Sequence, residues 1–487
     1  MAPVSSLIID TDPRILSVYT KEYTWLSPIG DHQIFASAKE DNPVLINNAQ
    51  QGVDDILALL LALSSRSDEI EVQLISLTFG NIDVRSCLRN VASMFHTIER
   101  EMKWRRENGK PEGFDALKAY KPTVAVGADC PLDDELMMAD YFHGRDGLGN
   151  IHFSHPHLTP QQTWKSLFFS STENNTVAST AESALDPSQH SLFIASTKPA
   201  HQEILRVLKE NDPDTITIVA IGPLTNLALA AAEDPETFLR TKEVVVMGGT
   251  IDVPGNITPV AEFNTFADAA AAARVFALTS TTPQSTMPPK RPTSSQHLPD
   301  YPAQLSKQLT LKLFPLDITL PHDITRGQFR AKISPIMAAG SPLAEWLSII
   351  LAHSFATLDA MYPGHDEDNA ALSLHDPLCI WYALTREAIS ISMSLSATGQ
   401  QQQRREPCWQ LTASSPEDIR VETMGRWTRG MCVVDRRNRK RFDDADLTTI
   451  SDHGHWLRNS VGNRVQRMAA SPGTRVFWEF LLDRIFR

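Results

Sequence analysis

The sequence predicts an α/β fold: one domain over residues 5–487, with a mostly parallel central sheet flanked by helices and interrupted by loop insertions. Three observations predict it. Short apolar runs rich in Val and Ile recur along the chain, helical patterns follow many of them, and Gly, Asp or Asn bounds most of them. The strand candidates are SSLIID (5–10), VQLISLTF (72–79), TVAVG (123–127), SLFIAS (191–196), TITIVAIG (215–222) and EVVVMGG (243–249). None alternates strictly between apolar and polar, as expected of strands covered on both faces. The helix candidates 53–65, 87–101, 200–211 and 223–234 space their apolar residues by three and four. Repeated strand-then-helix order makes a parallel sheet, and ligands in such sheets bind where strand hands over to helix.

Composition narrows the function. The 487 residues are 42% hydrophobic and carry a net charge of −13, so the basic footprint of a nucleic-acid partner is missing. An acidic balance is compatible with a cation site and a neutral substrate. The five cysteines, Cys87, Cys130, Cys379, Cys408 and Cys432, are scattered and form no CxxC pair. That argues against a disulfide framework or zinc cluster and fits a reducing compartment. The start MAPVSSLIID lacks a secretory pattern, and no uninterrupted apolar run reaches the roughly 18 residues of a membrane span. The expectation is a cytoplasmic protein without a membrane partner.

The handover points carry the chemistry. Asp10 and Asp12 end the first strand, and residues two apart on a strand face the same side. Two carboxylates there need a cation or hydrogen bonds to offset their burial. A turn Asp and a helix cap would give the same letters. Gly52-Val53-Asp54-Asp55 then opens the apolar helix ILALLLALSS, where acids also suit the helix dipole. Phe79-Gly80-Asn81 closes the second strand, and His143-Gly144-Arg145-Asp146-Gly147-Leu148-Gly149 forms a glycine-rich loop with hinge freedom. IGPLTNLALA (221–230) follows another strand. MGG (247–249), Gly255-Asn256 and Ala261-Glu262-Phe263-Asn264 offer the amides and carboxylates that a hydroxyl-rich ligand needs. Asp376-Pro377 reads as a cap and first residue of a helix beginning CIWYALTREA. Trp381 and Tyr382 on that helix read as core.

In this order the motifs resemble the inosine–uridine preferring nucleoside hydrolase family, with matches from about residue 5 to 437. The family's DTDPGxDDA-like run stands here in two halves, DTDP at 10–13 and GVDD at 52–55, with Ile56 at a place usually held by a small residue. The resemblance implies an N-glycosyl hydrolase that releases ribose and free base from a small-molecule ribonucleoside, with a calcium-bound water as nucleophile. It implies Ca2+ held by Asp12, Asp55, Asp376 and the Ile221 carbonyl; hard oxygen ligands of this kind favour calcium over zinc. Asp12 would also take the proton of the water. Asp54, Asn81 and Asn264 would hold the ribose diol, and Met247, Asn256 and Glu262 the 5′-hydroxyl side. Asp10 would orient the others from behind. His375, with an ordinary pKa near 6.5, would protonate the leaving base. His143 would belong to a closing flap, and residues 421–431 to a structural hairpin. A homodimer or homotetramer and a place in nucleoside catabolism and salvage complete the implication.

Two other readings compete. Phosphatases of the haloacid-dehalogenase type also open on a DxD, but need Thr or Val two residues later, where this chain has Arg14. A family member with impaired catalysis is the second, because residues 14–51 split the motif. That segment is either a genuine loop or a translated intron in the gene model, since the family pattern reads through without it. Residues 279–303 and 396–407, rich in Pro, Ser, Thr or Gln, read as exposed loop insertions, and 170–190 reads likewise.

Overall fold

The computed structural model describes residues 5–12, 53–80, 82–133, 146–160, 165, 167–168, 192–289, 298–361, 367–396, 408–443 and 452–487. The segment 14–51, Asn81, His143, residues 170–190 and all of 396–407 except Ser396 lie outside the described residues.

The strands are β1 (Ser5–Thr11), β2 (Ile70–Leu77), β3 (Thr123–Val126), β4 (Ile194–Ser196), β5 (Ile216–Ala220), β6 (Glu243–Met247), β7 (Leu311–Phe314), β8 (Asp323–Thr325), β9 (Ala371–Ser373), β10 (Gln410–Leu411), β11 (Arg420–Val421), β12 (Cys432–Val433) and β13 (Gln466–Ala470). Nine of them form one sheet in the order β10-β13-β7-β6-β5-β1-β2-β3-β4. All its pairings are parallel except that between β10 and β13. The chain runs outward from β1 through β2 and β3 to β4, then returns to lay β5 on the other flank of β1. Strand order therefore reverses at β1, and the crevice beyond its carboxyl end is the place where open α/β sheets bind ligands.

Both faces are covered, as the unalternating strands require. Leu7 and Ile9 of β1 join one core with the helices Val53–Leu63, Val84–Glu107, Pro342–Met361, His375–Ser396 and Thr474–Phe486. Ile8 points into the other core, with the helices Ala200–Glu210, Thr225–Glu233 and Ala269–Ala277. Every residue of Val53–Leu63 is buried, and this helix packs against His375–Ser396. Trp381 and Tyr382 are core residues, as expected.

Three boundaries differ from the sequence reading. The strand expected at 191–196 is reduced to β4, an edge strand whose Ile194 is 55% exposed. The helix expected after Asp376 begins at His375, so Asp376 sits inside its first turn rather than capping it. Pro377 is tolerated there because first-turn amides have no helical acceptor. Finally, 279–303 is not simply an exposed loop: Thr279, Ser280, Pro283 and Tyr301 are buried. Several of its described hydroxyls bond elsewhere in the protein: Thr281 Oγ1 and Thr282 Oγ1 donate to Ser460 O, and Thr286 Oγ1 donates to Asn463 Oδ1. Thr279 Oγ1 donates to Phe276 O (2.7 Å) and accepts from Arg464 N (2.8 Å). Arg274 lies against the Tyr301 ring and donates to Pro299 O at 2.6 Å.

Candidate active site

The parallel register places Asp10, near the end of β1, beside Ser76 of β2 and Ala220 of β5. Its carboxylate is fully buried. Oδ1 accepts from Ser76 Oγ (2.5 Å) and from Asn226 Nδ2 (3.0 Å), whereas Oδ2 has no partner. Burial pushes Asp10 up to about 7, against the lowering effect of the two hydrogen bonds. One residue on, Thr11 Oγ1 donates to Asp55 Oδ1 at 2.7 Å. Asp12, the last described residue of this segment, is 3% exposed.

Asp54 and Asp55 enter from the first turn of Val53–Leu63, and Asp376 from the first turn of the neighbouring helix His375–Ser396. One ligand oxygen of each lies within 4.8 Å of the others, and all three residues are buried. Two helix N-termini thus point positive dipole ends at one acidic point, each stabilising charge by about 0.3–1 kcal/mol. That does not match the cost of burying three carboxylates together. Burial, first of all, holds Asp54 and Asp376 well above the ordinary carboxylate range; the charge of Asp12 adds to both, and those of Asp54 and Asp55 to Asp376. An all-oxygen cluster with unspent negative charge and the orphaned Asp10 Oδ2 fits a hard divalent cation.

The turn after β5 completes this side. Ile221 N donates to Asp10 O at 2.9 Å. Gly222 lies so close to Asp12 that a Cβ there would stand 3.1 Å from Asp12 Cγ. The Ile221 carbonyl accepts from Asn264 Nδ2 at 3.2 Å, and a second lone pair is left over. Asn264 Nδ2 also reaches Met247 O at 3.3 Å, which ties the ends of β5 and β6 together.

Glu262 spends both carboxylate oxygens on backbone. Oε1 accepts from Asn264 N (2.7 Å), and Oε2 from Gly249 N (2.7 Å) and Thr265 N (3.1 Å), capping the short helix Phe263–Ala267. Asn256 Oδ1 accepts from Phe263 N at 2.8 Å, and its Nδ2 is buried without a partner, a donor still available to a ligand.

His375 is buried, with Nδ1 against Thr319 Oγ1 at 2.6 Å and Nε2 unpartnered. The ring does not titrate near its ordinary value. Burial, with a smaller contribution from His322, pushes it down to about 3.

Asp54, Asp55 and Asp376 are therefore brought together, Asp10 is tied to Ile221, its neighbour Thr11 is tied to Asp55, and Asp12 lies within electrostatic reach of Asp10, Asp54 and Asp376. Met247, Glu262 and Asn264 form a hydrogen-bonded flank. Sequence reasoning did not single out Ser76, Asn226, Thr11 or Thr319, which grip the acidic and imidazole groups. Each is a single polar residue whose partner lies far along the chain, Asn226 being 216 positions from Asp10.

A mostly parallel α/β sheet with buried carboxylates at its switch point is a frame shared by many ligand-binding proteins. Within it, the sequence profile of the inosine-uridine preferring nucleoside hydrolases matches residues 46–454. The chain belongs to that family. The matched span begins after β1, so the strand bearing Asp10 and Asp12 is tied to the site by the structure rather than by the profile. The pyrimidine-specific ribonucleoside hydrolase RihA of Salmonella typhimurium is 28% identical over 396 residues, 81% of this chain and 88% of that protein. A probable uridine nucleosidase 2 of Arabidopsis thaliana is 29% identical over 236 residues, 48% of this chain and 56% of that protein. The plant nucleoside hydrolase PpNRh1 shares the fold, with a TM-score of 0.55, 19% identity and 99% of each chain covered. Among the described residues no helix is long and apolar enough to cross a membrane.

Proposed function

We propose that this protein hydrolyses the N-glycosidic bond of ribonucleosides, giving ribose and free base, with Ca2+ as its cofactor. The observation that carries the reading is the convergence of Asp54, Asp55 and Asp376, from two helix N-termini, on one buried point beside the end of β1. Asp12, Asp55, Asp376 and the Ile221 carbonyl would hold the cation. When bound, it supplies Lewis acidity that lowers the pKa of a water.

The remaining work falls to the chain. Asp12 accepts the proton of the attacking water. Asp54, Asn81 and Asn264 accept and donate to the ribose diol, and the carboxylate of Asp54 favours the oxocarbenium-like character expected of glycosyl transfer. Asn256 Nδ2 and Met247 face the 5′-hydroxyl side, with Glu262 holding that segment in place. His375 faces the leaving base. Were Thr319 Oγ1–H to donate to Nδ1, the neutral ring would carry its proton on Nε2, the atom without a partner among the described residues. His143 belongs to the flap. The enzyme would act in the cytoplasm, in nucleoside catabolism and salvage, as a dimer or tetramer.

One assay tests the reading: purified protein with inosine, uridine, cytidine or adenosine, with and without Ca2+, following free base. Cation-dependent release of base from at least one of them is expected. Cation-dependent binding of a ribonucleoside without release would favour the impaired family member instead, the reading that the split DTDP and GVDD halves motivate. Full turnover after verified removal of metal would sink the cation chemistry.

A further inference from the structure

Asp10 is not among the groups assigned to touch cation or nucleoside, yet one of its oxygens is held by two side-chain donors. Ser76 Oγ and Asn226 Nδ2 both donate to its Oδ1, at 2.5 and 3.0 Å. The same Nδ2 group also reaches Ser76 Oγ and Leu77 O, both at 3.0 Å. On its other side, Asn226 Oδ1 accepts from Ala128 N at 2.9 Å. One amide therefore fastens the ends of β1 and β2 to the backbone just beyond β3. The chain leaves room for it: a Cβ on Gly127 would lie 2.3 Å from Asn226 Oδ1.

Three consecutive residues of β1 divide the work. Asp10 faces the Ser76–Asn226 grip, Thr11 holds Asp55 at 2.7 Å, and Asp12 stands against Gly222. A shift of the backbone at Asp10 would move both Asp12 and, through Thr11, Asp55. The second oxygen of Asp10 is buried with no donor.

We propose that Ser76 and Asn226 form a two-donor clamp on Asp10, and that through it they position Asp12 and Asp55 for a divalent cation. Asp10 is then a positioning residue that fixes the end of β1 without ligating. This inference rests on the cation site proposed above.

The test is calorimetric titration of the full chain with Ca2+ and with Mn2+, alongside base release. Asn226→Ala and Ser76→Ala should each weaken cation binding tenfold or more. They should lower kcat while changing the nucleoside KM less than threefold. Asp10→Ala should weaken binding to a similar extent, and adding Asn226→Ala to it should cost less than a further twofold, because the clamp acts only through Asp10. Wild-type cation affinity in both clamp variants, or effects that multiply in the Asp10→Ala background, would overturn the clamp and leave the cation site standing. Absence of cation binding in the wild type overturns the cation site and the clamp with it. Thermal melts accompany each variant. Should Asn226→Ala not unfold cooperatively, the smaller Ser76→Ala change, alone and combined with Asp10→Ala, decides by the same criteria.

Discussion

Thr11 Oγ1 lies 2.7 Å from Asp55 Oδ1 and donates to it. These residues stand in the two halves of the split DTDP and GVDD motif, yet they meet in a buried hydrogen bond between the end of β1 and the first turn of Val53–Leu63. Thr11 of the first half and Asp55 of the second are thereby joined directly, 44 positions apart in the chain.

A variant that joins Pro13 directly to Gly52 should therefore fold and bind cation as well as the full chain or better. Closing a connection of this length between fixed ends costs about 3 kcal/mol, which the shorter link reduces. Thermal melting and calcium titration measure this; a melting temperature lowered by about 5 °C, or lost binding, would show the segment to be needed. Peptide mapping of the native protein settles its origin. Peptides from within 14–51 mean a genuine loop, and a peptide running from Pro13 into Gly52 means a translated intron.

Asp376→Asn should separate stability from function. Burial first, and then the charges of Asp54, Asp55 and Asp12, disfavour the charged form of this carboxyl, so an uncharged amide in its place removes that cost in the metal-free protein. Its melting temperature without cation should equal or exceed that of wild type, whereas base release should fall by at least about a thousandfold, on the scale of a lost electrostatic group in a buried site. A variant that melts earlier and still turns over would contradict both assignments.

Calcium should stabilise the wild type measurably. Saturation at a hundred times the dissociation constant contributes about 2.7 kcal/mol to unfolding free energy. Urea melts in chelator and in excess Ca2+ read this directly, and the same difference should vanish in Asp12→Asn together with activity. Identical melts in both buffers would count against a resident cation.

His152 gives a pH prediction remote from the acidic cluster. It is buried between Thr159 Oγ1 (2.7 Å) and Asn90 Oδ1 (2.8 Å), and burial pushes it down to about 4 despite the opposing charge of Asp146. The unfolded chain takes up this proton near pH 6.5 and the folded chain only near 4. The contribution is thus complete above about pH 6.5 and is lost as pH falls towards 4. Between pH 7.5 and 5 wild type should lose about 2 kcal/mol more than His152→Gln in urea melts. Parallel losses in the two proteins would refute it.

The sheet was legible because β1, β2, β5 and β6 are Val- and Ile-rich runs whose ends carry Gly, Asp or Asn, signals contained in the runs themselves. β4 was overread: SLFIAS has strand composition, but at the edge only three residues find a partner, and Ile194 stays open to solvent. Asp10, Asp54, Asp55 and Asp376 stood out as acids next to apolar segments. Ser76, Asn226 and Thr319 could not, because a single polar residue in an apolar run gains its meaning from a partner far along the chain. Asn226 and Asp10 are 216 positions apart, and His375 and Thr319 are 56 apart. Glu262 was read for its charge, and the structure shows that charge capping three backbone amides, a local use no spacing announces. The ring of His375 was expected to titrate at its ordinary value, which only its burial alters.

The helix Val53–Leu63 has no solvent-facing side at all. Its amides should be among the slowest in the protein to exchange hydrogen for deuterium, opening only with global unfolding. Two of the acids that the reaction would need therefore ride on a part of the molecule that does not breathe. Admission of a nucleoside and departure of its base must be accommodated by surrounding segments moving around a stationary anvil.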